Sequence, residues 1–510
     1  GIDVQGLFLY EPGGSSITRT GTQPEKPPSP DERQQGAISY EFAGPSDLKI
    51  YREKNWLTRI TVGRGTMEVV EHHYPAVEEH LPLRLFLQYL LFNRHAIKRN
   101  STWAGEGTPL PATMLSWMAG HLEQYQSGNF RAEDMLWWAK SKLFDGEFTW
   151  IDSDWHPDPS KRRYRRVQSV SIAPEVLGAV EEEIRRPVSQ VQSRVWFDTG
   201  LAYTKQAAND LRATARRLIH KESQSVLDEK GNPEIPKKIQ QYLNGLPIDG
   251  FNKVLRDRLS EAYRIVAQLS VEPPEDDLSM KHARTILRAV EDQPKPLYEV
   301  KQKTTRLYAS SSLQQLNREV REVLLEDWIH LDLRSAHLAI CAKHWKVTPL
   351  LDFLEDGGDI WAELLSHTDQ VEKPTLKKVL YAITYGAAVH RSASEASPST
   401  ITEVLQKGGA LTRQAAERTR NRLVSHPLLS VLHRAREQQI EKIRERGFVK
   451  DVFGSTLALP EHAADESPAI TVRTLLTAEA SALEMLLLWP AFQEVIGKEK
   501  RCKIMLYMFD

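Results

Sequence analysis

The sequence predicts an α+β protein, and three observations carry that expectation. Apolar residues recur at three-to-four spacing over 81–96, 111–125, 207–221, 250–268 and 373–385, the period of amphipathic helices. Short β-rich runs stand at 148–151, 326–333 and 503–509. The chain has 510 residues, 41% of them hydrophobic and 26% charged, which is ordinary globular composition with ample material for a core and for several domains.

Composition excludes several classes. The formal net charge is -1, so any nucleic-acid partner must be held by local patches rather than a global basic field. Only Cys341 and Cys502 occur, far apart, which excludes a disulfide framework and a cysteine-based zinc site. A reducing, cytoplasmic setting is expected. No stretch reads as a membrane span, because Arg84 interrupts the apolar run 81–92 and Glu479 and Glu484 interrupt 475–492. No membrane partner is expected, and no basic segment followed by an apolar run marks a signal peptide.

Residues 1–38 are rich in Gly, Pro, Ser and Thr and are expected to be a flexible tail. Residues 39–190 form a tryptophan-rich accessory domain whose role is not legible. His72, His73 and His80 fall here without completing a ligand set. The run Lys161-Arg162-Arg163-Tyr164-Arg165-Arg166 clusters cations around one aromatic, which suits phosphate contact with base stacking; a solvated loop is the alternative. Residues 191–290 are helical and rich in Arg and Lys, with a break at Pro273-Pro274.

The last third carries the chemistry. The strand-like run 326–333 delivers Asp332 at its end, just before a helix start at Ser335-Ala336-His337. A carboxylate there can hold a divalent metal, although such an Asp also serves as a helix cap. Lys373, Lys377, Tyr381 and Tyr385 are four apart, so a helix lines them along one face. Two cations followed by two aromatics suit phosphates, then sugar and base; packed surface tyrosines are the alternative. Gly386 can end that helix. The run 503–509 is a β-rich strand leading to a second carboxylate, Asp510.

Taken together, residues 297–510 resemble the family A DNA polymerases. Thr304-Thr305-Arg306-Leu307 and Ser310-Ser311-Ser312-Leu313-Gln314-Gln315 resemble the segment that meets the primer–template minor groove. Asp332 falls in motif A, and Lys377, Tyr381, Tyr385 and Gly386 in motif B. Gly447-Phe448-Val449-Lys450-Asp451-Val452-Phe453-Gly454 resembles the hairpin that follows the fingers, and Phe509-Asp510 falls at motif C. The resemblance implies a right-hand fold, with an antiparallel palm sheet, helical fingers at about 338–445 and a helical thumb at 191–290. It implies template-directed DNA synthesis on primer–template DNA from deoxynucleoside triphosphates, with two Mg²⁺ ions held by Asp332 and Asp510. Lys373 and Lys377 would contact the triphosphate, Tyr381 the sugar, and Tyr385 the template slot. Arg306, Gln314 and Gln315 would contact DNA, with Lys161, Arg162 and Arg163 as a further DNA patch. The accessory domain would engage template or other replication proteins.

The sequence also departs from the family pattern. His337 stands where motif A has a Glu that screens the ribose 2′-OH, Phe509 replaces a His, and Lys373 replaces an Arg. His337 therefore keeps a ribonucleotide-using, primer-making relative in view, beside a nucleic-acid-binding scaffold without activity. No exonuclease constellation is visible in 39–290. The strand that returns after motif C is expected to be missing, and with it much of the activity.

Overall fold

The computed structural model describes residues 6–10, 60–93, 108–111, 115, 132–144, 148–152, 164–170, 172–268, 277–300, 304–309, 313–332, 335–368, 371–386, 400–409, 411–459, 471–497 and 503–507. The chain is α+β: mostly helical, with small antiparallel sheets.

The first body of structure packs strands β2 (Thr61–Gly63) and β6 (Arg194–Trp196) with helices α1 (Arg64–His73), α2 (Ala76–Glu79), α3 (Leu81–Gln88), α4 (Ala132–Leu143) and α5 (Pro174–Arg185). A sheet of order β3-β5-β4 joins Thr108–Pro111, Tyr164–Val170 and Phe148–Asp152. Pro174 opens α5, where a missing N–H costs nothing and the fixed φ suits the first turn. One apolar core runs from Val62 to Phe197. Arg84 lies inside it and is matched there: it donates to Val77 O at 3.1 Å and to Glu71 at 3.1 Å.

Helices α6 (Lys205–Glu229), α7 (Glu234–Gly245), α8 (Asp249–Gln268), α9 (Asp277–Asp292) and α10 (Arg318–Leu324) build a second core with strands β7 (Tyr298–Val300) and β8 (Leu307–Ala309). The C-terminal turns of α9 tie the two bodies together. Arg288 donates to Glu183 at 2.7 Å and to Arg186 O at 2.5 Å. Asp292 pairs with Arg194 at 2.5 Å, and Glu291 accepts from the Val188 and Ser189 amides, both at 2.8 Å. Glu183 also accepts from the Gly63 amide at 3.0 Å and the Thr66 hydroxyl at 2.8 Å, and so caps α1.

A third core holds α11 (Ala336–His344), α12 (Thr348–Glu355), α13 (Ile360–Ser366), α14 (Lys373–Thr384), α15 (Thr400–Gly409), α16 (Arg413–Ser425) and α17 (Pro427–Arg446). The hairpin of β10 (Phe448–Lys450) and β11 (Thr456–Ala458) follows, where Asp451 accepts from the Phe453 and Ser455 amides at 2.9 Å. The long apolar helix α18 (Val472–Val495) contributes Met485, Leu488 and Phe492 to the second core and Leu475 and Leu476 to a smaller fourth cluster with α17 and β10. Among the described residues it is the one helix long and apolar enough to cross a membrane, and half of that apolar window is buried against the protein.

The sheet nearest the candidate carboxylates has the order β12-β1-β9, with β12 at Lys503–Tyr507, β1 at Gly6–Tyr10 and β9 at Ile329–Asp332. Strand β1 is antiparallel to both neighbours, with Leu7 opposite Tyr507 and Gly6 opposite Asp332. Within the stretch 1–38 expected to be a flexible tail, Gly6–Tyr10 is a strand; the rest of that stretch lies outside the described residues. Gly6-Leu7-Phe8-Leu9-Tyr10 is a short β-prone run inside a polar stretch, and two flanking strands satisfy its backbone.

The α9 junction yields a test. Arg288→Ala leaves the buried Glu183 carboxylate uncompensated, and the expected loss is about 3–5 kcal/mol. Urea unfolding should show this as a lower midpoint.

Candidate active site

Helix α14 positions most of the predicted nucleotide side chains. Thr375, Leu376, Val379, Leu380, Ile383 and Thr384 are buried, so the face between them is turned outward. Lys377, Tyr381 and Tyr385 lie on it half-buried, with Lys373 exposed at its start. Lys377 Nζ sits 5.5 Å from the Tyr381 ring centre, and the Tyr381 and Tyr385 rings stack at 6.0 Å. Lys373 Nζ lies 5.8 Å from the Trp361 ring, a position suited to one phosphate contact at the helix start. Gly386 ends the helix at φ +78°, and a Cβ there would meet Leu476 at 3.1 Å. Glycine therefore serves both the left-handed turn and the close approach of α18.

His337 comes to the same place from the first turn of α11. Its ring lies 4.5 Å from that of Tyr385 and 5.4 Å from that of Tyr381. Thr384 Oγ1 lies 3.1 Å from both Leu380 O and Tyr381 O and shares a hydrogen bond with His337 Nε2 at 2.8 Å. Burial, helped by the nearby Arg306 charge, pushes the His337 pKa down to about 3. The ring is neutral at physiological pH, and its Nε2 faces both Thr384 Oγ1 and the Cys341 thiol, at 2.8 and 3.7 Å.

Arg306 stands just before β8 and is 7% exposed. It pairs with Glu484 of α18. Burial works to lower its pKa, but the surrounding groups, Glu484 foremost and then Tyr385 and Tyr507, together raise it, and the guanidinium stays charged. The expected minor-groove probe is thus held by a protein carboxylate beside Tyr385, whose own pKa is raised by burial. Gln314 accepts from the Ala309 amide at 2.9 Å and donates to Tyr507 O at 2.6 Å, which ties β8 to β12. Gln315 Oε1 is buried with no partner among the described residues.

Asp332 is the last residue of β9, and β12 ends at Tyr507, three residues before Asp510. The strands leading to the two carboxylates therefore share one sheet, separated by β1. Asp510 itself, and Lys161, Arg162 and Arg163, lie outside the described residues.

A second carboxylate–imidazole group lies in the third core. Ligand-type atoms of Glu363, His367 and His426 fall within 4.8 Å of one another. Their hydrogen bonds read as helix capping. His426 Nδ1 accepts from the Leu428 amide at 3.3 Å, so Nε2 carries the proton and donates to Glu363 at 3.2 Å. His367 Nδ1 donates to Glu363 O at 2.9 Å. A metal ligated by His426 Nε2 would have to displace that proton while Nδ1 is still accepting, which disfavours it.

The sequence reading missed Glu484 and Thr384. A charge inside the apolar run 475–492 was the available signal for Glu484, since a carboxylate in such a helix needs a partner. Nothing local pointed to Thr384. No protein-family model matches the chain, and no curated protein matches it.

His337 makes the folded state pH-sensitive. Its folded pKa of about 3 lies below the ordinary 6.5, so the unfolded chain binds the proton first. Its contribution to stability is complete above pH 6.5 and declines as pH falls toward 3, by at most about 1.4 kcal/mol per pH unit. Urea unfolding at pH 7.5 and 4.5 should show a smaller difference for His337→Gln than for the parent. Separately, Gly386→Ala should cost about 1–2 kcal/mol through its left-handed backbone.

Proposed function

We propose that this protein is a template-directed DNA polymerase of the right-hand type, adding deoxynucleotides to a primer 3′-OH by nucleotidyl transfer. One observation carries the reading: Lys377, Tyr381, Tyr385, His337 and Arg306, drawn from three separate parts of the sequence, gather in one place, with Arg306 near Tyr507 at the end of β12. The motif order along the chain supports the same reading.

Each residue then has a task. Lys377 meets the triphosphate as a point charge, and Lys373 reaches it from the helix start. Tyr381 offers a face to the sugar and Tyr385 bounds the slot for the templating base. His337 fills the floor beneath both rings and, being neutral, limits the room beside the sugar 2′ position. Arg306, paired with Glu484, fixes Tyr385 rather than reaching freely for the duplex. Asp332 and Asp510 are oxygen donors of the kind Mg²⁺ prefers, and would hold two such ions. When bound, those ions supply charge stabilisation at the attacking and leaving oxygens. The primer oxygen bonds to the α-phosphorus, the bond to the bridging oxygen breaks, pyrophosphate leaves, and the hydroxyl proton passes to solvent.

Primer extension on a primed DNA template with Mg²⁺ tests this. Asp332→Asn should lose about a thousandfold or more in rate. Lys377→Ala should raise the nucleotide KM while primer–template binding is retained. His337→Ala should raise ribonucleotide incorporation relative to deoxynucleotide. Binding without extension by the parent chain would leave the scaffold reading in its place.

A further inference from the structure

We propose that the cavity between the start of α1 and the turn after β6 binds a phosphodiester of a single-stranded nucleic acid, held by Arg64 and Arg194. Nucleic acid as the source of that phosphate rests on the function proposed above; the anion site itself does not.

The cavity has a volume of about 480 Å³, within the range of small-molecule sites. Arg64, Ser193, Arg194 and Tyr203 supply its polar lining, and Val191 and Val195 part of the apolar remainder. The chain builds it by doubling back after β6. The Trp196 amide donates to Leu201 O and the Tyr203 amide to Arg194 O, both at 2.8 Å, which brings Tyr203 beside Arg194. The Arg64 amide donates to Ser193 O at 3.0 Å and so joins the first turn of α1 to the same segment. Ser193 takes a left-handed backbone at φ +49°, uncommon for a residue with a side chain.

The two guanidinium groups are held differently. Arg194 Nε donates to Thr61 Oγ1 at 3.2 Å, and Nη2 pairs with Asp292 at 2.5 Å. Its guanidinium lies 3.9 Å from the Tyr203 ring centre, and Trp196 backs that ring at 5.3 Å. Arg194 Nη1 makes no hydrogen bond among the described residues. A planar group fixed along one edge and one face loses little freedom on meeting a ligand. Arg64 is exposed, touches Gly200 O at 3.5 Å and has no carboxylate partner among the described residues.

Charge selects the ligand. Arg64 and Arg194 bring two positive charges and Asp292 one negative, which leaves one positive charge at the cavity. Glu183, behind Gly63, is already matched by Arg288. A phosphodiester carries one negative charge and is neutralised there, whereas a phosphate monoester dianion would leave a negative excess. A concave site of this size receives one nucleotide of a flexible strand and not the side of a rigid duplex.

Amide hydrogen exchange at 61–66 and 191–203 reads the site directly. An oligothymidylate about eight nucleotides long should slow exchange in both segments of the parent chain. Arg64→Ala should abolish that slowing and lower the salt slope of oligonucleotide binding by about 0.7. Arg64→Lys, which keeps the charge, should retain both. No slowing by the oligonucleotide, or equal slowing in Arg64→Ala, overturns the site. Equal slowing by inorganic phosphate at the same concentration overturns the diester, and equal slowing by phosphatidylglycerol vesicles overturns nucleic acid as its source. Slowing by the oligonucleotide without primer extension would leave the site standing and remove the polymerase reading alone.

Discussion

The buried pair of Arg306 and Glu484 is the constraint on which the candidate site depends. A guanidinium 7% exposed is tolerable only with a carboxylate beside it, and Glu484 is supplied from a predominantly apolar helix. The pair locks the approach to β8 against α18. Its charge adds to the burial that keeps His337 neutral. Tyr385 lies against the same group, so the ring nearest the end of α14 is set by an ion pair rather than by its own helix. Removing either partner would strand a charge in the middle of the molecule.

A second network performs a similar task at the accessory body. Arg288, Glu291 and Asp292 occupy the last turns of α9 and meet partners on β2, α5, β6 and the turn at Val188. Several of these contacts are charged and shielded from water, so each is geometrically demanding. The accessory body is thereby fastened to the helices at 205–292 instead of being tethered by a linker.

Much of α14 was legible in the sequence. Lys377, Tyr381 and Tyr385 share a face because four residues turn a helix through little more than one revolution, a local rule that needs no tertiary information. The helix end at Gly386 followed from the same reasoning. The burial of His337 was not legible, because it comes from Thr384 and two tyrosines some forty or more positions later. Arg306 was legible as a cation and misread in exposure, since its partner lies in the distant α18. The strand at Gly6–Tyr10 was hidden by averaging over a Gly- and Pro-rich stretch.

The sequence by itself determined the α+β class, the amphipathic helices and the order of the chemistry-bearing segments, because composition and helical period act over a few residues. Tertiary structure alone decided that β1 enters between β9 and β12, that Arg306 is held by Glu484, and that His426 caps a helix while paired with Glu363. These outcomes depend on which distant groups satisfy a buried backbone, charge or ring nitrogen. No local pattern encodes that choice, because a buried polar group specifies only that it needs a partner, and packing determines which one it receives.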